Sequence, residues 1–179
     1  MALNVTSVVT TTGFALGDYS LWGNFSLMLF FYLGFIGGCS GSTAGGIKIF
    51  RFQVAYILLK ANLNQLIHPR AGIKQKYNGH RLDEEIVRSI LTFSFFFAIT
   101  ICAIALALSL LGLDWMTALT GAASTVSGVG PGLGETIGPA GNFASLPDAA
   151  KWILSLGMLL GQLEIITVFV LCIPAFWRH

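Results

Sequence analysis

One run of residues, 90–111, contains only uncharged and mostly apolar side chains. A helix that crosses a bilayer needs about 20 such residues. The rest of the chain points the same way, because 55% of its residues are hydrophobic and 10% are charged. Soluble domains carry about 25% charged residues. We therefore predict an all-α integral membrane protein.

Two further apolar segments are long enough to cross a membrane. One covers residues 21–38 and continues, after a break, over 47–59, and the other covers 152–176 with the single charge of Glu164. Tryptophans lie at or beside the ends of these segments, as is typical of interfacial anchors: Trp22, Trp115, Trp152 and Trp177. Three crossings are predicted in total.

The connectors between the crossings differ in charge. Six Lys or Arg residues lie between positions 60 and 88, whereas Lys151 is the single basic residue between 112 and 151. Cytoplasmic loops of membrane proteins are rich in Lys and Arg. Residues 61–88 and the C-terminus are therefore predicted to be cytoplasmic, and the connector after residue 111 is predicted to lie outside.

Several function classes find no support in the sequence. The net charge of +2 is too small to indicate nucleic-acid binding. The three cysteines, Cys39, Cys102 and Cys172, are far apart in apolar segments, which suits small apolar residues better than a metal site or disulfides. Nucleophile and base residues do not form a catalytic pattern, so we expect neither an enzyme nor a bound cofactor.

The outer connector contains a short apolar helix followed by a glycine-rich loop. Asp114 can cap a helix over 115–125, which at about 16 Å is too short to span a bilayer. The loop Ser-Gly-Val-Gly-Pro-Gly-Leu-Gly follows at 127–134. Irregular backbone at membrane depth must be buried by protein or line water. We therefore predict a re-entrant segment.

The same order of elements occurs earlier in the chain. Residues 4–12 can end a short helix, a Thr-Thr-Gly-Phe turn occupies 11–14, and a crossing segment follows. The repeated unit is therefore helix, half-helix, loop and helix, and the first copy lacks its leading helix. We call residues 11–14 the first glycine loop and residues 127–130 the second glycine loop.

These two loops suit the binding of a cation. The C-terminal end of a half-helix carries partial negative charge. Glycine allows successive carbonyls to turn toward one axis, and threonine hydroxyls add further oxygens. Rings of such oxygens replace the hydration shell of potassium in selective pores. The alternative interpretation is a glycine-rich surface loop, and the occurrence of two copies favours the pore.

A glycine and serine segment, residues 37–46, interrupts the first crossing and is called here the gating loop. Its length suggests a broken helix that forms a mobile constriction beneath the glycine loops. The alternative is close helix packing, since Gly34/Gly38 and Gly41/Gly45 have the spacing of small residues at helix interfaces. Gln162 and Glu164 interrupt the last crossing, and such groups inside a membrane are candidates for function. The alternative, which is favoured for Glu164, is an interhelical hydrogen bond or a pairing with Lys48 or Arg51.

Four ordered motifs resemble the TrkH family, the membrane subunits of bacterial Trk potassium uptake in the Trk/Ktr/HKT superfamily. They are Val-Val-Thr-Thr-Thr-Gly-Phe-Ala at 8–15, Gly-Cys-Ser-Gly-Ser-Thr-Ala-Gly-Gly-Ile-Lys at 38–48, Gly-Val-Gly-Pro-Gly-Leu-Gly at 128–134, and Met-Leu-Leu-Gly-Gln-Leu-Glu-Ile at 158–165 with Pro-Ala-Phe-Trp-Arg at 174–178. The resemblance covers essentially the whole chain.

The resemblance implies four helix–pore-helix–helix repeats around one potassium pathway in the bacterial inner membrane. Residues 1–60 then supply the pore half of the third repeat, 61–88 a cytoplasmic connector, and 89–179 the fourth repeat, with its first helix at 89–111, pore helix and filter at 114–134 and last helix at 151–177. Potassium-filter roles pass to Thr11, Thr12, Gly13, Gly128, Val129 and Gly130. The gating role passes to Gly37, Gly38, Ser40, Gly41, Ser42, Gly45 and Gly46.

The resemblance also implies partners and one departure. Two further repeats would precede this chain, which reads as a C-terminal half, and members assemble as dimers with a nucleotide-binding cytoplasmic ring, TrkA. Where the family has a pore-facing arginine in its last helix, this chain has Gln162. Two alternatives remain: a non-conducting scaffold or regulatory fragment, and a sodium- or proton-coupled secondary transporter.

Overall fold

The computed structural model of the chain describes residues 2–39, 41–42, 44–68, 76–77, 80–82, 84–134, 136–163 and 165–177. The described part is mostly helical. Its α-helices are α1 Ala2–Val9, α2 Asn24–Phe35, α3 Ile49–Ile67, α4 Glu84–Leu110, α5 Trp115–Ser127, α6 Asp148–Gln162 and α7 Ile165–Cys172. Three short 3₁₀ helices cover Tyr19–Trp22, Phe143–Ser145 and Pro174–Trp177. Strand β1 Ile36–Gly37 pairs in parallel with β2 Ile47–Lys48, and β3 Lys76–Tyr77 pairs antiparallel with β4 His80–Arg81.

Helix α4 contains the charge-free run and starts five residues before the predicted boundary at 89. Glu84 and Glu85 occupy its first turn, where their charge is favourable at the positive end of the helix dipole. Gly112 ends it with φ +85°, a conformation that favours glycine after a helix. In the part of the chain that the structure describes, α4 is the one helix long and apolar enough to cross a membrane, and α2 is a shorter apolar helix.

The first predicted crossing is divided in the structure. The side chain of Asp18 accepts a hydrogen bond of 2.8 Å from the Ser20 N–H and so starts a 3₁₀ helix, and Gly23, with φ +105°, separates that helix from α2. Helix α2 then ends at Phe35 and α3 begins at Ile49, so the predicted break is present. The two ends of the broken segment are joined by the β1–β2 pair.

The last segment differs from the single helix that we predicted over 151–177. Helix α6 already begins at Asp148 and ends at Gln162, and a separate helix α7 follows. The break occurs because Leu163 has φ −87° and ψ 9°, which turns the chain out of the α-helical path. Pro174 cannot donate a backbone hydrogen bond, and a 3₁₀ turn replaces the helix there.

Two buried clusters organise these helices. The larger one joins α4, α5 and α6 through side chains such as Phe97, Ile104, Ala122, Val126 and Leu154. The smaller one joins the two copies of the repeat, and its members are Val8, Tyr19, Phe30, Val129 and Leu133. The smaller cluster therefore holds the second glycine loop against the first copy.

Candidate ion pathway

The backbone after α1 and the backbone after α5 have the same conformation. In the first copy, the Thr12 N–H donates to the Ser7 carbonyl oxygen at 2.8 Å, and in the second the Val129 N–H donates to the Ser124 carbonyl oxygen at 3.0 Å. Each residue of the second pair lies 117 positions after its counterpart. The neighbouring bonds, Thr11 N–H to Val8 O and Gly128 N–H to Thr125 O, keep that offset and are both 3.1 Å long.

Left-handed backbone positions repeat with the same offset. The φ angles are +54° at Thr11 and +72° at Gly128, +81° at Gly13 and +103° at Gly130. Thr11 is the one non-glycine residue with positive φ in the described part of the chain, and this conformation is uncommon for a branched side chain. Alternation in the sign of φ turns successive peptide groups toward one side of the chain. Both loops can therefore present several carbonyl oxygens together.

The two glycine loops touch each other. A Cβ atom placed on Gly13 would overlap the Val129 carbonyl oxygen and lie 3.4 Å from Pro131 Cδ. The side chain of Val129 is buried in the smaller cluster, which fixes this approach. Elsewhere the loops are open: Phe14 is 76% exposed, and a Cβ position on Gly130 has no atom of the described residues within 4 Å. The structure thus brings four of the predicted filter residues, Gly13, Gly128, Val129 and Gly130, to one region, with Thr11 and Thr12 beside them.

The gating loop lies directly against the second glycine loop. A Cβ atom on Gly45 would lie 2.9 Å from the Ser127 carbonyl carbon and 3.3 Å from Gly128 Cα. Gly37 packs against the Gly45 backbone, and the Ser42 hydroxyl donates to the Cys39 carbonyl oxygen at 2.8 Å. Among the other predicted gating residues, Gly38, Gly41 and Gly46 belong to the same segment, and Ser40 lies outside the described residues.

Gln162 reaches the same place from α6. Its Oε1 atom lies 3.9 Å from a Cβ position on Gly128. Gly161 makes this possible, because α6 packs there on the Val126 carbonyl with no side chain between them. The end of α5, the gating loop and Gln162 therefore form one contact region. Glu164, the other polar residue predicted in this helix, lies outside the described residues.

Several polar side chains behind the loops were not predicted from the sequence. Asn4, Thr120 and Ser124 are buried and bond to backbone atoms that follow the glycine loops. Their sequence signal is a polar residue inside a short apolar helix, which alone does not distinguish a functional contact from helix packing. Tyr19 also packs behind the loops, and burial, aided by the charge of Asp18, raises its pKa to about 12. Its phenol is therefore uncharged beside the loops.

Two short helices that each end in a glycine loop, beside a helix long and apolar enough to cross a bilayer, are typical of membrane transport proteins. The family model described as "TrkH: Cation transport protein" matches residues 1–179. The chain belongs to this TrkH family of membrane cation transport proteins. The chain is 61% identical over its whole length to the Trk system potassium uptake protein TrkI of Halomonas elongata, of which it covers 36%.

A solved structure gives the same result at the level of the fold. The crystal structure of the potassium transporter TrkH from Vibrio parahaemolyticus superposes with a TM-score of 0.86 and 37% sequence identity. The match covers 96% of this chain and 36% of that one. The chain thus spans about a third of the length of the relatives it matches.

Proposed function

We propose that this chain contributes half of a potassium-uptake pathway, in which carbonyl oxygens of the two glycine loops bind the dehydrated ion. The filter residues are Thr11, Thr12, Gly13, Gly128, Val129 and Gly130. The observation that carries the proposal is the matched backbone of the two loops, with the same hydrogen bonds and the same left-handed positions 117 residues apart. Two loops of one shape at the ends of two half-helices are suited to a shared axis.

A complete filter needs further oxygens opposite the exposed sides of the two loops. We propose that two more repeats supply them, because the matched relatives are about three times as long as this chain. The assembly proposed with them is a dimer in the bacterial inner membrane, with a TrkA-like nucleotide-binding ring. Three crossings then place residues 61–88 and the C-terminus in the cytoplasm.

Residues 37–46 are proposed to gate this pathway. Support comes from the position of Gly45 against Ser127 and Gly128, at the end of α5. A loop whose ends are tied by a two-residue strand pair can move as a unit without unfolding α2 or α3. Gln162 faces the same contact region, so its neutral amide would set the local electrostatic barrier in place of the family's arginine.

The proposal is tested with the protein expressed from its native gene in a bacterial strain that lacks its own potassium uptake. Growth at low potassium is expected with the natural sequence and is expected to be lost in Gly13→Asp and Gly130→Asp. Gly112→Asp is the matched control for Gly130→Asp. Both glycines have positive φ, and a Cβ on either meets no atom of the described residues within 4 Å, but Gly112 follows α4 away from the loops. Growth that survives both loop substitutions would show that the loops are not the filter. Uptake that requires a sodium or proton gradient would instead indicate coupled transport.

A further inference from the structure

A buried polar side chain holds the chain just after each glycine loop. In the first copy, Asn4 Oδ1 accepts from the Leu16 N–H at 2.9 Å and Asn4 Nδ2 donates to the Leu16 carbonyl oxygen at 3.2 Å. In the second copy, Thr120 Oγ1 accepts from the Leu133 N–H at 3.2 Å and lies 3.1 Å from the Leu133 carbonyl oxygen. The Thr120 hydroxyl hydrogen is shared with the Met116 carbonyl oxygen at 2.7 Å.

The two bonded sites correspond, although the side chains that bond to them differ. Leu133 lies 117 positions after Leu16, which is the offset of the loops themselves. Asn4 and Thr120 differ in chemistry and come from helix positions that are one residue out of register. Both are almost fully buried, at 1% and 4% exposure, where an unpaired polar group would be costly. Different side chains bond to the equivalent backbone positions Leu16 and Leu133. The feature that the two copies share is therefore a fixed backbone position after the loop, and not a particular helix residue.

Each glycine loop is thus fixed at two points. Near the helix, the Thr12 and Val129 N–H groups bond to the carbonyls of Ser7 and Ser124. Beyond the loop, the bonds from Asn4 and Thr120 fix Leu16 and Leu133. The loop residues between these points are held at both ends, so a displacement of their carbonyl groups requires the release of one end.

We propose that Asn4 and Thr120 are positioning residues that set the discrimination between potassium and sodium by holding the distal ends of the two filter loops. This inference rests on the proposed function. Oxygens held at a fixed separation replace the hydration shell of potassium, whereas a loop released at one end can contract around the smaller sodium ion. Loss of the bonds from Asn4 to Leu16, or of the bond from Thr120 to Leu133, should therefore admit sodium without a comparable loss of potassium uptake.

The test uses the protein expressed from its native gene, reconstituted into vesicles, with potassium and sodium uptake measured separately. Thr120→Val keeps the shape of the side chain and removes its hydroxyl, and Asn4→Leu removes the amide. The ratio of potassium to sodium uptake is expected to fall roughly fivefold in Thr120→Val, the effect of one neutral hydrogen bond. It is expected to fall at least as much in Asn4→Leu, which removes both bonds to Leu16. Thr120→Ser restores the hydroxyl and is expected to restore the ratio.

The matched control is Thr100→Val. Thr100 is buried in α4, and its hydroxyl bonds to the Phe96 carbonyl oxygen at 2.8 Å within the same helix, so this change removes a hydroxyl without touching a loop. Its ratio should equal that of the natural sequence. If Asn4→Leu does not fold, the uptake ratios of Thr120→Val and Thr120→Ser are sufficient to test the positioning role.

The outcomes separate the two proposals. An unchanged ratio in folded Thr120→Val would overturn the positioning role while leaving potassium uptake in place. Absence of potassium uptake in the natural protein would overturn the proposed function itself. If the uptake ratio falls equally in Thr100→Val, the cause is general destabilisation of the protein. That result would also contradict the positioning role.

Discussion

The α-carbon of Gly13 faces the carbonyl oxygen of Val129 so closely that a methyl group on Gly13 would overlap it. This contact joins the two copies of the repeat at the loops themselves. The separation of the two loops is therefore fixed by backbone contact, with no side chain between them.

Gly13→Ala should abolish potassium uptake, and Gly17→Ala should retain it. Both glycines have similar positive φ angles, +81° and +74°, so an alanine at either costs about 1–2 kcal/mol of backbone strain. The overlap with Val129 occurs at Gly13, whereas no atom of the described residues lies within 4 Å of a Cβ position on Gly17. Uptake assays on membranes with equal amounts of each variant measure the difference. Equal loss in both would mean that backbone strain, and not loop contact, governs the effect.

Two serines at equivalent positions should respond differently to alanine. The Ser124 hydroxyl donates to the Pro131 carbonyl oxygen at 2.8 Å, whereas the buried hydroxyl of Ser7, its counterpart, has no hydrogen-bond partner among the described residues. Ser124→Ala should lower the free energy of unfolding by about 1 kcal/mol and so lower the melting temperature. Ser7→Ala should lose less or gain stability. Tryptophan fluorescence during heating of the purified protein measures both, and a larger fall for Ser7→Ala would contradict the bonding seen here.

Gly45→Ala should displace the gating loop from the second glycine loop. The added methyl group would meet the Ser127 carbonyl group, and the loop must move because that carbonyl ends a buried helix. We expect faster unstimulated potassium flux than in the natural protein. Gly41→Ala is the control, since a Cβ atom on Gly41 meets nothing within 4 Å in the part of the chain that the structure describes. Flux that is unchanged by Gly45→Ala in a folded protein would argue against residues 37–46 as the constriction.

Gln162→Arg should slow potassium flux. A positive charge about 8 Å from a permeating cation opposes it by about 2 kcal/mol at an effective dielectric constant of about 20, which corresponds to roughly a thirtyfold reduction. Gln162→Met has similar size and no charge, and it should conduct nearly as the natural protein does. Initial rates of uptake into vesicles give the comparison. Similar slowing by arginine and methionine would indicate a steric effect of the side chain.

The sequence predicted the parts of the site that depend on local chemistry. Asp114 begins α5 as a capping residue, accepting from the Met116 N–H at 3.2 Å, as its residue type and position predict. Helix α5 runs two residues beyond the predicted end at 125, to Ser127, and Gly128 then ends it in the left-handed conformation. The break in the first crossing was also predicted, because a long apolar segment with a run of glycine and serine cannot remain one straight helix.

The remaining parts depend on contacts between distant residues. The bond from Asn4 to Leu16 needs the loop to turn back onto its own helix, and the approach of Gly45 to Ser127 joins residues far apart in sequence. The break at Leu163 has no glycine or proline at the site to reveal it. The spacing of apolar residues does not predict contacts between distant residues or this helix break, so only the structure revealed them.

The left-handed position is occupied by Thr11 in one loop and by Gly128 in the other. A pore assembled from four identical chains would change in all four quarters with a single mutation. In the proposed filter the two loops are encoded separately, so a mutation in one leaves the other unchanged. The proposed filter could therefore change its ion preference in small steps, one loop at a time.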